Sequence, residues 1–354
     1  MDKKTIFITG GAGYVGAMLC EQFSRRDDVD KIIALDKEEK PDLFDRNNKV
    51  IWITANTSDK TWQGEVLKYK PNVVIHTAWQ IREMYGDRKT QYLWNVIGSK
   101  NVFDFVFSAQ FVERFIYFST ASSYGAYKNN TIEHMFREED VFQETEYSYG
   151  NEKRIVEELL EDTYKKNNSR DVQVFIVRPA AITGPRGRFM RIRFGLQSAL
   201  SGQLKDSFIY KTVSFLVSIV PATNKWCRQF IHEDDVVDIV ELFSFEKLDG
   251  KYEIFNITPP GPVVRPDDMG KAVGKKVIII SPFIIRIVFF LFWHLTRGKI
   301  PTSRGGWRFY SYPIVMDGTS ITKKYKYEYK HKSFEAFYNT KGRYEKYVPE
   351  ESRR

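Results

Sequence analysis

The sequence predicts an α/β protein, a doubly wound parallel sheet followed by a smaller, mixed C-terminal domain. Three observations carry that reading. Short apolar runs alternate with helical stretches through the first half of the chain, as strands and crossover helices do in a parallel sheet. The first run ends in a glycine-rich turn, Thr9-Gly10-Gly11-Ala12-Gly13-Tyr14-Val15-Gly16. After Arg178-Pro179 the alternation fades, and Gly, Pro and Arg cluster at 184–188. A chain of 354 residues holds about two domains and buries a full core without staples.

Thr5–Thr9 reads as a buried strand because it is apolar and short, and Ala17–Phe23 as the helix that follows. Lys31–Asp36, Val50–Thr54, Asn72–His76 and Arg114–Ser119 read as the next strands, with a helix over Tyr92–Ala109. A helix over Tyr149–Tyr164 precedes a strand at Val172–Val177. Phe230–His232 and Tyr252–Ile257 read as later strands returning to the first domain, and prolines at 259, 260, 262 and 266 mark a connector. The expected division is residues 1–178 with returning segments at about 230–257, against 179–229 and 258–354.

Composition excludes several classes. The hydrophobic fraction is 42% and the charged fraction 28%, which fits a globular protein and not a disordered, collagen-like or coiled-coil chain. Two cysteines, Cys20 and Cys227, exclude a disulfide framework. Met1-Asp-Lys-Lys runs straight into a strand pattern, so a secretory signal is not expected and a cytoplasmic location is. The net charge of +9 is unevenly placed: residues 297–354 hold 14 basic and 6 acidic residues, a net of +8.

Glycines at 10, 13 and 16 between a strand and a helix suit a dinucleotide. The first permits the tight turn, the second lets the backbone approach a pyrophosphate, and the third lets helix and strand pack closely. The helix N-terminus offers free N–H groups to phosphate, and Tyr14 and Val15, in the turn before it, are further cofactor-binding candidates. Asp36 ends the second strand 20 residues after Gly16. An acid there accepts from ribose hydroxyls and repels a 2′-phosphate, which favours NAD over NADP; Lys37 beside it softens that preference.

Tyr149 and Lys153 are spaced i, i+4, so a helix puts them on one face. An ammonium beside a phenol favours the phenolate, and the tyrosine can then act as a general base. The fifth strand ends in Ser119-Thr120-Ala121-Ser122-Ser123-Tyr124-Gly125. A hydroxyl there faces the ligand crevice of a doubly wound sheet; Thr120 is the first candidate and Ser122 the second.

These motifs, with His76-Thr-Ala78, Asn95-Val-x-Gly98-x-x-Asn101, Arg178-Pro179, Gly184-Pro185 and Arg228-Gln-Phe-Ile-His-Glu-Asp-Asp235, fall in order over most of the chain. In this the sequence resembles the extended short-chain dehydrogenase/reductases, the NAD-dependent epimerase/dehydratase group, and the resemblance is loose beyond about residue 260. It implies a Rossmann-type cofactor domain and a triad of Thr120, Tyr149 and Lys153, with Lys153 also holding the nicotinamide ribose. It places Ala78 beside the cofactor through its backbone, and Arg228 on a substrate diphosphate. It also implies reversible hydride transfer at a secondary hydroxyl of a nucleotide sugar, and a homodimer. Three positions depart from the family pattern. Asn56 replaces an Asp near adenine. Ala121-Ser122 stand where 4,6-dehydratases carry Asp-Glu, and Ala181 stands in place of a substrate-binding Asn.

The C-terminal third leaves alternatives open. Val277–Leu295 is nearly all apolar but is interrupted by Ser281, Pro282, Arg286 and His294, too short for a membrane span. It is expected to be a core helix. The alternative is a greasy cap for a steroid-like or polyprenyl-linked substrate, similar to the 3β-hydroxysteroid dehydrogenase branch, with peripheral membrane contact through 277–297 and the basic tail. Arg186, Arg188, Arg191 and Arg193 are candidates for a phosphate clamp. The Lys/Tyr-rich stretch at 323–330 has no nucleic-acid module beside it, so nucleic acid is not expected. His76, His134 and His232 are too scattered to predict a metal. A non-catalytic NAD-binding scaffold is the third functional reading.

Overall fold

The computed structural model describes residues 3–167, 171–187, 219–339, 341–348 and 350. Arg188, Arg191 and Arg193 lie outside them. The main body is a seven-stranded, all-parallel sheet. Its elements in chain order are β1 Lys4–Thr9, α1 Tyr14–Phe23, β2 Val29–Asp36, β3 Val50–Thr54, α2 Trp62–Leu67, β4 Val73–His76, α3 Arg88–Tyr92 and α4 Gly98–Ser108. They continue with β5 Arg114–Phe118, α5 Ser148–Lys166, β6 Gln173–Pro179, β7 Ala181–Thr183, β8 Ile219–Ala222, β9 Phe230–His232, α6 Glu233–Phe245 and β10 Tyr252–Ile257. The sheet order is β10-β6-β5-β4-β1-β2-β3. The chain reverses its winding between β1 and β4, and the carboxyl ends of these two strands frame a ligand crevice.

The strands are apolar throughout because both faces are covered. Ile6 and Ile8 face α1 and α6 in one core with Ile75, Ile116 and Phe175, whereas Phe7 points to the other core with Val74, Phe115 and Val174. Helix α1 begins at Tyr14, three residues before the predicted start, because Gly13 in extended conformation opens it directly. Helices α3 and α4 are joined by a π-helical turn at Leu93–Ile97. Tyr252–Ile257 does return to the sheet, pairing with β6. Phe230–His232 does not; it pairs with β7 in a separate two-stranded sheet.

Beyond β10 lie α7 Pro266–Val273, β11 Lys276–Ile279, which pairs with β8, and α8 Pro282–Leu295. The expectation of a core helix fails for α8. Of its residues only Ile285 and Trp293 are buried, and Phe283, Phe290 and Leu295 are 66%, 62% and 74% exposed. Among the described residues no helix is long and apolar enough to cross a membrane.

The basic tail also differs from expectation. It folds back on the cofactor domain, and acids meet its cations: Lys324 pairs with Glu253, Lys330 and Arg343 with Asp238, and Lys346 with Glu21. Tyr325, Tyr327, Tyr329 and Tyr347 pack on the core. These lysines and tyrosines are therefore structural and do not form a free basic surface.

His76 closes β4 inside the sheet. Its Nδ1 lies 2.6 Å from Thr9 Oγ1 and its Nε2 2.8 Å from Ser99 Oγ. Ser99 donates its own proton to Asn95 O, so the neutral Nε2–H tautomer satisfies both contacts. Burial, and secondarily the Lys153 charge, push its pKa down to about 3. Below about pH 6.5 the unfolded chain takes up a proton here that the folded chain refuses, so stability is lost as pH falls from about 6.5 towards 3. The expected slope is about 1.4 kcal/mol per pH unit for this one group. Urea melts of wild type and His76→Gln between about pH 5 and 6.5 should differ in slope by about one proton.

Candidate active site

A cavity of about 640 Å³ opens at the crevice between β1 and β4. Gly10, Gly13, Tyr14, Val15, Asp36, Ala78, Thr120, Ser122, Tyr149, Lys153 and Arg228 all line it. Gly16 is absent from its wall and has a packing role.

The turn after β1 is shaped to leave a cradle. Gly10 sits at φ +78°, in the left-handed region, and a Cβ there would stand 2.7 Å from the Ala78 nitrogen. A Cβ at Gly16 would stand 2.1 Å from the Gly10 carbonyl oxygen. Glycine is thus required at both positions, and the backbone before α1 stays open to a phosphate. Asp36 Oδ2 accepts from Ala12 N at 2.9 Å, which fixes the carboxylate beside the turn. Lys37 lies over the Trp94 ring at 4.6 Å and pairs with Glu38. The residues fit a dinucleotide whose adenosine ribose has free hydroxyls.

Thr120 is extended and its Oγ1 accepts from Ser122 N at 3.1 Å, opening a short turn over Ala121–Tyr124. Tyr149 is half-buried in the cavity wall; desolvation pushes its phenol up from the ordinary value, and a hydrogen bond with Thr120 partly offsets that rise. Lys153 does not act on Tyr149 as predicted. Its ammonium donates to Phe118 O and lies 3.7 Å from the centre of the Trp79 ring. Burial holds its pKa well below that of an ordinary lysine, with Glu157 opposing. The rise at Tyr149 runs opposite to the depression expected from Lys153.

Two buried acids set where Tyr149 stands. Glu144 Oε1 accepts from the N–H groups of Thr145, Glu146 and Tyr147 at 3.0, 2.8 and 2.9 Å. That arrangement fixes the backbone leading into α5. Glu157, one helical turn after Lys153, pairs with Arg178 of β6, and both side chains are 6% exposed. Arg178 also donates to Tyr124 Oη at 2.7 Å and Glu138 O at 2.8 Å. Tyr124 in turn bonds Asn256 of β10 at 2.8 Å.

The chain matches the NAD dependent epimerase/dehydratase family over residues 6–258. It belongs to that family. A dTDP-D-glucose 4,6-dehydratase of Dictyostelium discoideum is 25% identical over 299 residues, covering 78% of this chain and 62% of that protein. The match thus spans under two thirds of that relative. The UDP-glucose 4-epimerase of Thermotoga maritima, solved with UDP-glucose, superposes with a TM-score of 0.67 at 18% identity, covering 97% of this chain and 98% of that one. The Bordetella bronchiseptica enzyme WbmG, solved with NAD and UDP, superposes with a TM-score of 0.66 at 21% identity, covering 95% and 92%.

All three departures from the family pattern, Asn56, Ala121-Ser122 and Ala181, lie in the cavity wall. Other wall residues are absent from the sequence reading. Trp79 follows Ala78 directly, and Glu83 comes from the loop after β4. Phe289, Phe309 and Tyr310 come from the C-terminal third, where only the apolar character of the segment hinted at a role. Arg228 lies in the wall as expected, and its Nη2 donates to Phe309 O at 2.7 Å. Arg186 is not available as a phosphate clamp. It is buried, paired with Glu21 at 2.8 Å.

His232, Asp234 and His331 come within 4.8 Å of one another. Both ring nitrogens of His232 are already committed, Nδ1 accepting from Asp234 N and Nε2 bonding Lys341 O. The arrangement is that of a helix cap.

Removing one partner of a buried ion pair leaves the other charge uncompensated. Arg178→Met is therefore expected to cost about 3–5 kcal/mol in a denaturant melt, and adding Glu157→Leu should recover much of it. Recovery by the double variant is the measurement that separates charge from shape.

Proposed function

We propose that this member of the family carries out reversible hydride transfer at a secondary hydroxyl of a nucleotide sugar. The supporting observation is that a single cavity holds the glycine cradle, Asp36, the Thr120–Tyr149 pair and Arg228. NAD, when bound, supplies the hydride acceptor. Gly10, Gly13 and the N-terminus of α1 would hold its phosphates, Asp36 its adenosine ribose, and Lys153 its second ribose. Thr120 would orient the substrate hydroxyl. The protonated phenol that burial favours at Tyr149 would give its proton to the carbonyl oxygen in the reducing direction; in the oxidising direction its phenolate would take the hydroxyl proton while hydride leaves the same carbon for NAD. The carbon becomes a ketone, and the proton sits on the Tyr149 phenol until it is returned or released. Arg228 meets the diphosphate as a delocalised cation with several donors.

Ala121 and Ser122 supply no carboxylic acid for an elimination. The reading is therefore an epimerase or reductase, not a 4,6-dehydratase such as the Dictyostelium relative. A second reading, a lipid-linked substrate, draws on one observation: Phe289 and Phe309 give the cavity an apolar wall at the side formed by the C-terminal third.

Tyr149→Phe should lower kcat on UDP-sugars by about 10²–10⁴-fold and leave NAD binding, followed by fluorescence, unchanged. Undiminished turnover would remove Tyr149 from the chemistry. Arg228→Ala should weaken binding of uridine diphosphate by about ten-fold or more in calorimetry. An unchanged affinity, or no uridine diphosphate binding by wild type, would favour the lipid-linked substrate.

A further inference from the structure

We infer that α8 docks the protein on an anionic lipid bilayer, lying in the interface. The inference is independent of the substrate assigned above. One face of α8 presents Phe283, Ile284, Ile287, Phe290, Leu291 and Leu295, each between 42% and 74% exposed. At 100° per residue these six fall within one half of the helix surface, whereas Ile285 and Trp293 on the other side are buried. A continuous exposed apolar stripe of this kind marks a docking surface.

Charge identifies what it docks on. From Met269 to Met316 the chain has eight Lys or Arg residues and no Asp or Glu. Arg304 and Arg308 are matched by Glu146 and Glu144. Lys276, Arg297 and Lys299 have no carboxylate partner among the described residues and flank the stripe at both ends, while Arg286, within the helix, lies over the Trp307 ring. Apolar residues between unpaired cations are the composition of an interfacial helix on anionic lipid. A second copy of the same face fits poorly, because its cations would meet cations. The helix has 14 residues, about 21 Å at 1.5 Å per residue, so it lies along a bilayer and does not cross it.

The inner side of the same helix reaches the catalytic cavity. Phe289 lines the cavity and its neighbour Phe290 faces outwards. The bilayer contact and the cavity wall are thus adjacent residues of one element.

The test is co-sedimentation of the full chain with vesicles of phosphatidylcholine, alone or with about a third phosphatidylglycerol, near physiological salt. Wild type should pellet with the mixed vesicles and remain in the supernatant with phosphatidylcholine alone. Phe290→Glu with Leu295→Glu should reduce binding by about ten-fold or more. Lys276→Gln and Arg297→Gln should each reduce it by about five-fold. All these variants should retain NAD binding, since none of the four residues lines the cavity. Three results would overturn the inference: wild type staying in the supernatant with mixed vesicles, binding indifferent to the paired Glu substitutions, or a wild-type dimer that those substitutions dissociate.

Discussion

Arg178 is the charge around which the site is assembled. A guanidinium buried to this extent loses several kcal/mol of hydration, and it is held only because Glu157, Tyr124 and Glu138 all turn their oxygens towards it. Those partners come from the catalytic helix, the turn that carries Thr120 and the loop before α5. The demand of one cation for neighbours thus fixes the distance between two strands, a turn and a helix. Tyr149 and Thr120 meet because the elements bearing them are tied to the same residue from opposite sides. Lys153 sits between Tyr149 and Glu157 on that helix, one turn from each. Its amine is drawn towards Phe118 O and the Trp79 ring, while Val156 and Leu160 on the same helix pack into the apolar core.

Much of the cofactor half is legible in sequence because its rules are local. Two-sided burial forces apolar strands, and those strands stand within one or two residues of the predicted Thr5–Thr9, Lys31–Asp36 and Arg114–Ser119. Gly16 is equally local, since a Cβ there collides with the Gly10 carbonyl, whereas a Cβ at Gly10 collides with Ala78, far along the chain. The site residues of the early motifs reach the cavity for the same reason. Pairing over long range is what sequence does not carry. Phe230–His232 has the composition of a core strand, but its partner is chosen by Ala181–Thr183, which leaves the sheet just after Pro179. Arg186 has the appearance of a phosphate ligand until Glu21, far away in sequence, is seen beside it.

Charge is the other property that sequence misplaces. Counting residues from 297 onwards gives a strongly basic segment, yet much of that charge is spent on Glu253, Asp238 and Glu21. Unpaired cations also stand around α8, where no acid occurs for 48 residues. A net charge describes a segment, whereas a field depends on which charges keep a partner. The two diverge here because the tail packs against an acidic part of the core and α8 does not.

The tail bears on how the chain reaches its native state. Tyr344 Oη lies 3.3 Å from Met18 O, and the two residues are 326 positions apart. Lys346 and Tyr347 close on Glu21 of the same helix. During synthesis the residues that complete the outer side of α1 leave the ribosome more than three hundred positions after it. Of the cations around Glu21, Arg25 is one helical turn away, whereas Arg186 and Lys346 come far later in the chain. Contacts of such separation slow folding, since the loop-closure entropy is lost before they form. The nascent chain can arrange its parallel sheet early, but the outer side of its first helix is completed only when residues 344–347 arrive.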